Sequence, residues 1–181
     1  GIYLFNTSVL VEALENEEHD FGKSVIPMTA ERYRMSCFPF AGYWEDVGTI
    51  EAFYRANMDW RAGRGVAAFF QDGNAIITHA RQLPPSRLDG TCVEDSIIAD
   101  GCTIHAERMN RCIVGLRARI GPGSRAEDAI LMGNDVYHED VAWEIGKNCT
   151  IRDAIIDKNV IVGDGCRIER RRDRKECDEG F

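Results

Sequence analysis

The chain has 181 residues, a hydrophobic content of 44% and a formal net charge of −8. This length suits one domain or two small ones, and the hydrophobic content is ordinary for a globular protein. No apolar run approaches the roughly 20 residues of a membrane span. The acidic balance argues against a nucleic-acid-binding surface, which needs a basic excess, although a local basic patch could still bind an anionic small molecule.

The N-terminal part of the chain predicts strands and helices in alternation. Residues 1–5 are predicted to form a buried strand, and Asn6–Ser8 offer an N-cap for a helix over Val9–Leu14. Residues 19–27 are predicted to form a loop that leads into a short helix, stopped near the proline at its end. Residues 32–40 again have the composition of a strand.

A clear amphipathic helix is predicted after residue 49. Thr49 can cap it, apolar residues follow helical spacing from Ile50, and Gly63 can end it. This cap is the last residue of the segment Gly42-Tyr-Trp-Glu-Asp-Val-Gly-Thr49. A carboxylate at Asp46 would therefore stand between a predicted strand and a capped helix, a suitable place to present it to a ligand.

The next segment is predicted to be a connector. Phe69 and Phe70 should pack, Ile76–Thr78 should form a short strand, and Leu83–Arg87 should be extended because of its two prolines.

From Val93 to Glu169, apolar residues recur every five or six positions, which is typical of a parallel β-helix. In each unit the first residue should point inward, and Gly or Asn near the fourth position allows a corner with positive φ. An antiparallel meander is the alternative, but hairpins need no six-residue register. Four units are close copies of one hexapeptide: Ile98–Thr103, Ile120–Arg125, Ile145–Thr150 and Val162–Arg167.

Residues 133–144 interrupt the repeat and are predicted to leave the coil as a loop. The loop contains His138, and hexapeptide acyltransferases use a loop histidine as general base. Because the first ninety residues have no place in such an enzyme, we interpret His138 as an ordinary exposed loop residue.

Seven cysteines lack the C-x-x-C spacing of a zinc site. Five of them fall within the repeat, where they are predicted to be small apolar residues of a protein in a reducing cytosol. A plastid is the alternative location.

Several segments, in this order along the chain, resemble the glucose-1-phosphate adenylyltransferase family, also called ADP-glucose pyrophosphorylase. They are Gly1–Phe5 with Asp20–Lys23, then Tyr43–Thr49, then Leu83–Ser86, and within the repeat Ile113–Ile120, Leu131–Asp135 and Ala154–Asn159. Other sugar nucleotidyltransferases share the Trp-x-Asp-Val-Gly-Thr element and a β-helix tail.

The resemblance implies a mainly β chain: a left-handed parallel β-helix preceded by the C-terminal fragment of an α/β nucleotidyltransferase domain. The implied domains are a catalytic fragment over 1–65, a connector over 66–91 and a regulatory and oligomerising β-helix over 92–181. The full-length enzyme would join ATP and glucose 1-phosphate into ADP-glucose and pyrophosphate for glycogen or starch synthesis. It would use Mg²⁺ and form a homotetramer in the cytoplasm. Because the Gly-rich nucleotide loop is missing, we expect a fragment that is inactive by itself.

Site residues follow from the same resemblance. Asp46 is implied to hold Mg²⁺, which neutralises a triphosphate during adenylyl transfer; the alternative is that Asp46 only caps the following helix. Tyr3, Asp20, Phe21 and Trp44 are implied to contact the sugar, although from composition alone Phe21 and Trp44 would be core residues.

Lys158 is implied to contact an anionic allosteric effector, with Arg117 and Arg119 as further anion contacts. From the sequence alone, a solvated lysine is the simpler reading of Lys158. The run Arg170–Lys175 departs from the family pattern, and we assign no role to it.

Two alternatives stay open at this point. The first is another sugar nucleotidyltransferase, forming GDP-mannose or UDP-N-acetylglucosamine. The second is a non-catalytic regulatory subunit whose β-helix is a platform for effectors and assembly.

Overall fold

The computed structural model describes residues 2–65 and 77–170. The chain divides into two compact units, Gly1–Ala41 and Gly42–Phe181. Phe69, Phe70 and Ile76 of the predicted connector, and the run after Arg170, lie outside the described residues. Ile77 and Thr78 have no strand conformation.

The first unit contains α1 (Thr7–Ala13), a π-helix (Phe21–Val25) and α2 (Ile26–Arg32). Helix α1 begins after Asn6, as predicted, but the Asn6 side chain makes no capping hydrogen bond. The prediction that a helix ends near Pro27 is wrong, because Pro27 lies in the first turn of α2. Proline is favoured there, since the first N–H groups of a helix have no partner within it.

The strands predicted over residues 1–5 and 32–40 are also wrong. Residues 2–5 and 33–40 are irregular, and Leu4 is fully exposed. A strand needs a neighbour for its backbone N–H and C=O groups, and the described part of the first unit contains no strand that could pair with these segments.

In the second unit, α3 (Ile50–Arg61) confirms the predicted amphipathic helix. The Thr49 hydroxyl accepts a hydrogen bond from the Ala52 N–H at 3.1 Å and caps its N-terminus. Gly63, with φ of 88°, follows its C-terminus, where the left-handed conformation suits glycine.

The rest of the described chain forms a parallel β-helix, as predicted. Strands β2, β5, β8, β9 and β10 stack in that order, each parallel to the next. The strands are β1 (Arg87–Leu88), β2 (Cys92–Glu94), β3 (Ile97–Ile98), β4 (Thr103–Ile104), β5 (Arg108–Asn110), β6 (Ile113–Val114), β7 (Arg119–Ile120), β8 (Arg125–Leu131), β9 (Thr150–Ile156) and β10 (Arg167–Glu169).

The predicted inward positions form the core of this β-helix. Ile104, Met109 and Ile151 are among its most completely buried side chains, together with Cys102, Cys112 and Cys149. The predicted corners are confirmed as well. The fourth residue of each hexapeptide copy has positive φ: 76° at Gly101, 72° at Gly123, 55° at Asn148 and 71° at Gly165.

Residues 133–144 contain neither helix nor strand and lie against the coils as a loop. The Tyr137 hydroxyl donates a hydrogen bond to the Gly101 carbonyl at 2.9 Å. The Trp143 ring meets the His105 ring edge-on, with 4.8 Å between centroids. Among the described residues, no helix is both long and apolar enough to cross a bilayer.

Candidate functional site

Asp46 lies in the second unit, on the extended segment that leads into α3. Its Oδ1 accepts a hydrogen bond from the Gly48 N–H at 3.1 Å, which forms a tight turn two residues before the helix. The N-cap of α3 is Thr49 and not Asp46, because the Thr49 hydroxyl accepts the hydrogen bond from the helix. The Asp46 side chain is exposed, so the turn presents a carboxylate to the solvent.

Trp44 lies next to a cavity of about 490 Å³ between this segment and α3. Three aromatic rings, of Tyr43, Trp44 and Trp60, contribute to its wall. The lining residues are Tyr43, Trp44, Glu45, Val47, Ala56, Asn57, Trp60, Arg64 and Gly65. Flat rings beside polar groups suit a ligand with both C–H and hydroxyl surfaces.

Charged pairs surround this cavity. Arg55 Nη2 lies 2.5 Å from Glu45 Oε1, and Arg64 pairs with Asp59. The hydrogen bond from Arg64 holds the pKa of Asp59 below its usual range. The Asp59 carboxylate is thereby held as an anion beside Arg64.

The other predicted sugar contacts lie in the first unit. The rings of Tyr3 and Phe21 are 5.5 Å apart, and Phe5 meets Phe21 edge-on at 5.8 Å. Asp20 caps the π-helix, since its Oδ1 accepts a hydrogen bond from the Lys23 N–H at 2.8 Å. The structure therefore brings Tyr3, Asp20 and Phe21 together. It adds Phe5, which no pattern in the sequence indicated, because residues 2–5 are irregular.

The donor set around Asp46 decides how a metal could be held. The described residues contain no group of three or more His, Cys, Asp or Glu side chains that could hold a metal ion. Mg²⁺, however, is commonly bound by one or two carboxylates together with phosphates and water. A single exposed carboxylate at Asp46 fits a site that nucleotide phosphates would complete, and does not fit a site made by these residues alone.

Lys158 lies in a polar network at one corner of the β-helix. Its Nζ is 3.0 Å from Asp135 Oδ1. Asp135 and Asn159 also form a reciprocal pair, with Asn159 Nδ2 donating to Asp135 Oδ2 and the Asp135 N–H donating to Asn159 Oδ1, both at 2.9 Å. The Asn159 bond, and next the Lys158 ammonium, lower the pKa of Asp135.

Arg117 lies at the same corner. Val114, Leu131 and Ile156 are in register on consecutive coils, so residues 117, 134 and 159 hold equivalent places three positions later. Arg117 Nη1 donates to the Asn134 carbonyl at 3.3 Å. Its guanidinium also lies 5.8 Å from the centre of the Tyr137 ring.

Arg119 is engaged elsewhere, with Glu144. Its Nε and Nη2 lie 2.9 Å and 2.7 Å from Glu144 Oε1, and Nη2 also donates to the His138 carbonyl at 2.5 Å. An anion at Arg119 would have to compete with this carboxylate. The prediction that His138 is exposed is wrong, because the loop lies against the coils and leaves this residue half-buried. Its Nε2 atom is buried and has no hydrogen-bond partner among the described residues.

Comparison with protein-family models gives two matches. The model described as the GLGC left-handed parallel β-helix domain matches residues 81–181, more than half of the chain. The model described as nucleotidyl transferase matches residues 1–63. The first match covers the observed coils, and the second covers the segments that carry Tyr3, Asp20, Trp44 and Asp46.

Proposed function

Because the chain belongs to the GLGC left-handed parallel β-helix family and includes a nucleotidyl transferase segment, we propose that it forms part of an ADP-glucose-producing enzyme. The two matches together are those of a glucose-1-phosphate adenylyltransferase-like protein, in the sugar nucleotidyltransferase family. The proposed reaction joins ATP and glucose 1-phosphate and releases pyrophosphate. It would supply glycogen or starch synthesis.

One observation carries this proposal: the exposed Asp46 carboxylate is held by a turn directly beside the aromatic cavity at Trp44. In the proposed site, Asp46 provides one ligand to Mg²⁺, with nucleotide phosphates providing others. When bound, the ion would neutralise phosphate charge during adenylyl transfer. The protein's own part is to hold the carboxylate in place through the Gly48 N–H.

Sugar binding is assigned to aromatic and carboxylate side chains. In the second unit, the Trp44 ring can pack on the C–H face of glucose. In the first unit, taken by itself, the paired rings of Tyr3 and Phe21 are a surface of the same kind. Asp20 uses Oδ1 to cap the π-helix, and its carboxylate can still accept hydrogen bonds from sugar hydroxyls.

The β-helix is proposed to regulate and assemble the enzyme, as a homotetramer. Lys158 and Arg117 share one corner and would bind an anionic metabolite there. Such an anion would compete with the Asp135 carboxylate, which already contacts the Lys158 ammonium. Arg119 remains a weaker proposal for this role, because Glu144 already engages it.

The test is pyrophosphate release by the full-length protein that contains this chain. Activity should require ATP, glucose 1-phosphate and Mg²⁺. GTP with mannose 1-phosphate, or UTP with N-acetylglucosamine 1-phosphate, should be much poorer substrate pairs. Faster turnover of either pair would overturn the ADP-glucose assignment, and absence of all turnover would favour a regulatory subunit.

Asp46→Asn should abolish turnover while the protein stays folded, because an amide replaces the charged ligand. Asp140→Asn, which changes an exposed carboxylate of the 133–144 loop, is the matched control and should keep full activity. Normal turnover in Asp46→Asn would refute the metal role.

A further inference from the structure

Helix α3 lies along one corner of the β-helix, and two of its side chains bond to that corner. The Tyr54 hydroxyl donates to the Asp128 carbonyl at 2.7 Å. Arg61 Nη1 donates to the Asp95 carbonyl at 3.1 Å. Tyr54 and Arg61 are seven residues apart, so they occupy the same face of the helix, separated by about 10.5 Å along its axis.

Asp95 and Asp128 hold equivalent places two coils apart. Glu94, Asn110 and Glu127 are in register on successive strands, so the residues that follow them, Asp95, Arg111 and Asp128, form one column. Neighbouring strands are about 4.8 Å apart, which puts about 9.6 Å between the two carbonyls along the β-helix. The distance between Tyr54 and Arg61 along α3 is thus close to the distance between the Asp128 and Asp95 carbonyls along the β-helix. Both hydrogen bonds can therefore form at the same time.

The corner offers free acceptors because its residues leave the strand ladder. Asp95, Arg111, Asp128 and Asp153 all have positive φ, between 43° and 53°. The paired register of β8 and β9 omits Asp128 and Asp153. The Asp128 carbonyl can therefore accept a hydrogen bond from an element that lies across the corner, as it does from Tyr54.

Arg111 makes this corner rigid. Its Nε and Nη2 donate to the two carboxylate oxygens of Asp128 at 2.7 Å and 2.6 Å, and Nη2 also donates to Glu127 at 2.9 Å. The residue that accepts the Tyr54 bond is itself held by a bidentate pair.

At its other end, α3 is tied to Asp46. The Asp46 carboxylate accepts from the Gly48 N–H, and the next residue, Thr49, caps the helix through the Ala52 N–H. Only Val47 and Gly48 separate Asp46 from that cap. A short chain of bonds therefore runs from Asp46 through α3 to Asp128 and Arg111.

We propose that Tyr54 and Arg61 are positioning residues, which lock α3 in register on the β-helix and thereby set the position of the Asp46 turn. The inference rests on the proposed function of Asp46. It adds a physical connection by which a change at the corner that contains Asp95 and Asp128 would reach the Asp46 carboxylate.

The test compares Tyr54→Phe and Arg61→Met with wild type in the full-length protein. Tyr54→Phe keeps the ring and removes one hydrogen bond, so kcat should fall about fivefold with little change in KM for glucose 1-phosphate. The apparent affinity for Mg²⁺ should fall. Amide hydrogen exchange over residues 43–49 should speed up in both variants, independently of activity.

Tyr33→Phe is the control, since it removes a tyrosine hydroxyl bond within the first unit, to Glu12. It should leave exchange over residues 43–49 unchanged. If Tyr54→Phe and Arg61→Met leave both that exchange and the Mg²⁺ dependence unchanged, the inference is wrong. If wild type itself releases no pyrophosphate, the proposed function fails instead, and the exchange measurement still decides whether α3 holds the turn.

Discussion

Arg119 and Glu144 form a bidentate ion pair that closes the 133–144 loop onto strand β7. The Glu144 side chain is only 4% exposed and that of Arg119 18%. Glu144 also accepts a hydrogen bond from the Arg119 N–H at 3.1 Å. The pair is thus a structural element of the loop, whereas Lys158 is exposed to solvent.

Removing Glu144 should destabilise the β-helix strongly. Glu144→Ala leaves the Arg119 guanidinium largely buried without its counter-ion, which costs about 3–5 kcal/mol. The measurement is the free energy of unfolding in denaturant. Glu107→Ala, which removes an exposed partner of Arg125, is the control and should have little effect. An equal loss of unfolding free energy in the two variants would show that the buried Arg119–Glu144 pair stabilises the protein no more than an exposed pair does.

Asp135→Asn should strengthen anion binding at Lys158. Asp135 is held as an anion because Asn159 and Lys158 lower its pKa, so at neutral pH it competes for the Lys158 ammonium. Its removal should raise the affinity for an anionic activator about two- to fivefold, since exposed ion pairs contribute little. The measurement is the half-saturating activator concentration of the full-length enzyme, with Asp140→Asn as control. A weaker response in Asp135→Asn would show that this carboxylate supports the site.

Glycine at the second hexapeptide position should matter only where another coil lies against it. A Cβ at Gly115 would lie 2.1 Å from the Met132 carbonyl oxygen, whereas a Cβ at Gly163 meets only Cys166 Sγ, at 4.0 Å, among the described residues. Gly115→Ala should therefore cost about 1–3 kcal/mol of unfolding free energy. Gly163→Ala should be neutral or slightly stabilising. If thermal or denaturant unfolding showed Gly163→Ala to be less stable than Gly115→Ala, the close approach of the next coil to Gly115 would be contradicted.

Tyr54 should titrate late. Burial, and next the charge of Asp128, raise the pKa of Tyr54 from 10.0 to about 12. Above pH 10 the unfolded chain loses this proton before the folded protein does, so the stabilisation from Tyr54 is complete below pH 10 and is lost as the pH rises to about 12. The pKa values of Tyr33 and Tyr43 are raised as well, so the signature of Tyr54 in an ultraviolet difference titration is a step near pH 12 that is absent from Tyr54→Phe. Identical ultraviolet titration curves for wild type and Tyr54→Phe would contradict the burial of the Tyr54 hydroxyl beside Asp128.

Much of the fold could be predicted because it depends on short-range patterns. A β-helix repeats one local unit, so inward residues such as Ile120 and corner residues such as Gly123 follow directly from the spacing. The Thr49 cap is equally local. The strands predicted over residues 1–5 and 32–40 could not be tested by local patterns. A strand forms only beside a partner strand, and the composition of a segment does not say whether that partner is present.

The candidate site likewise combines features that are local in sequence with contacts between residues far apart in sequence. Trp44 and Asp46 are close in sequence, so the family resemblance of one short segment implied a role for both, although composition alone made Trp44 a core residue. The structure adds the exposed turn at Gly48. The contacts of Arg119 with Glu144 and of Tyr54 with Asp128 join residues 25 and 74 positions apart. Such pairs depend on how many coils intervene and where the loop returns, and no local rule contains that information.

By itself, the sequence determined that hexapeptides wind a β-helix with its apolar first positions inside and its corners at Gly or Asn, because each unit satisfies local geometric rules. Only the tertiary structure decided which charges are available. It paired Arg119 with a buried carboxylate, placed Asp135 on Lys158 and set α3 along the corner at Asp128, because stacking coils brings distant residues within hydrogen-bonding distance.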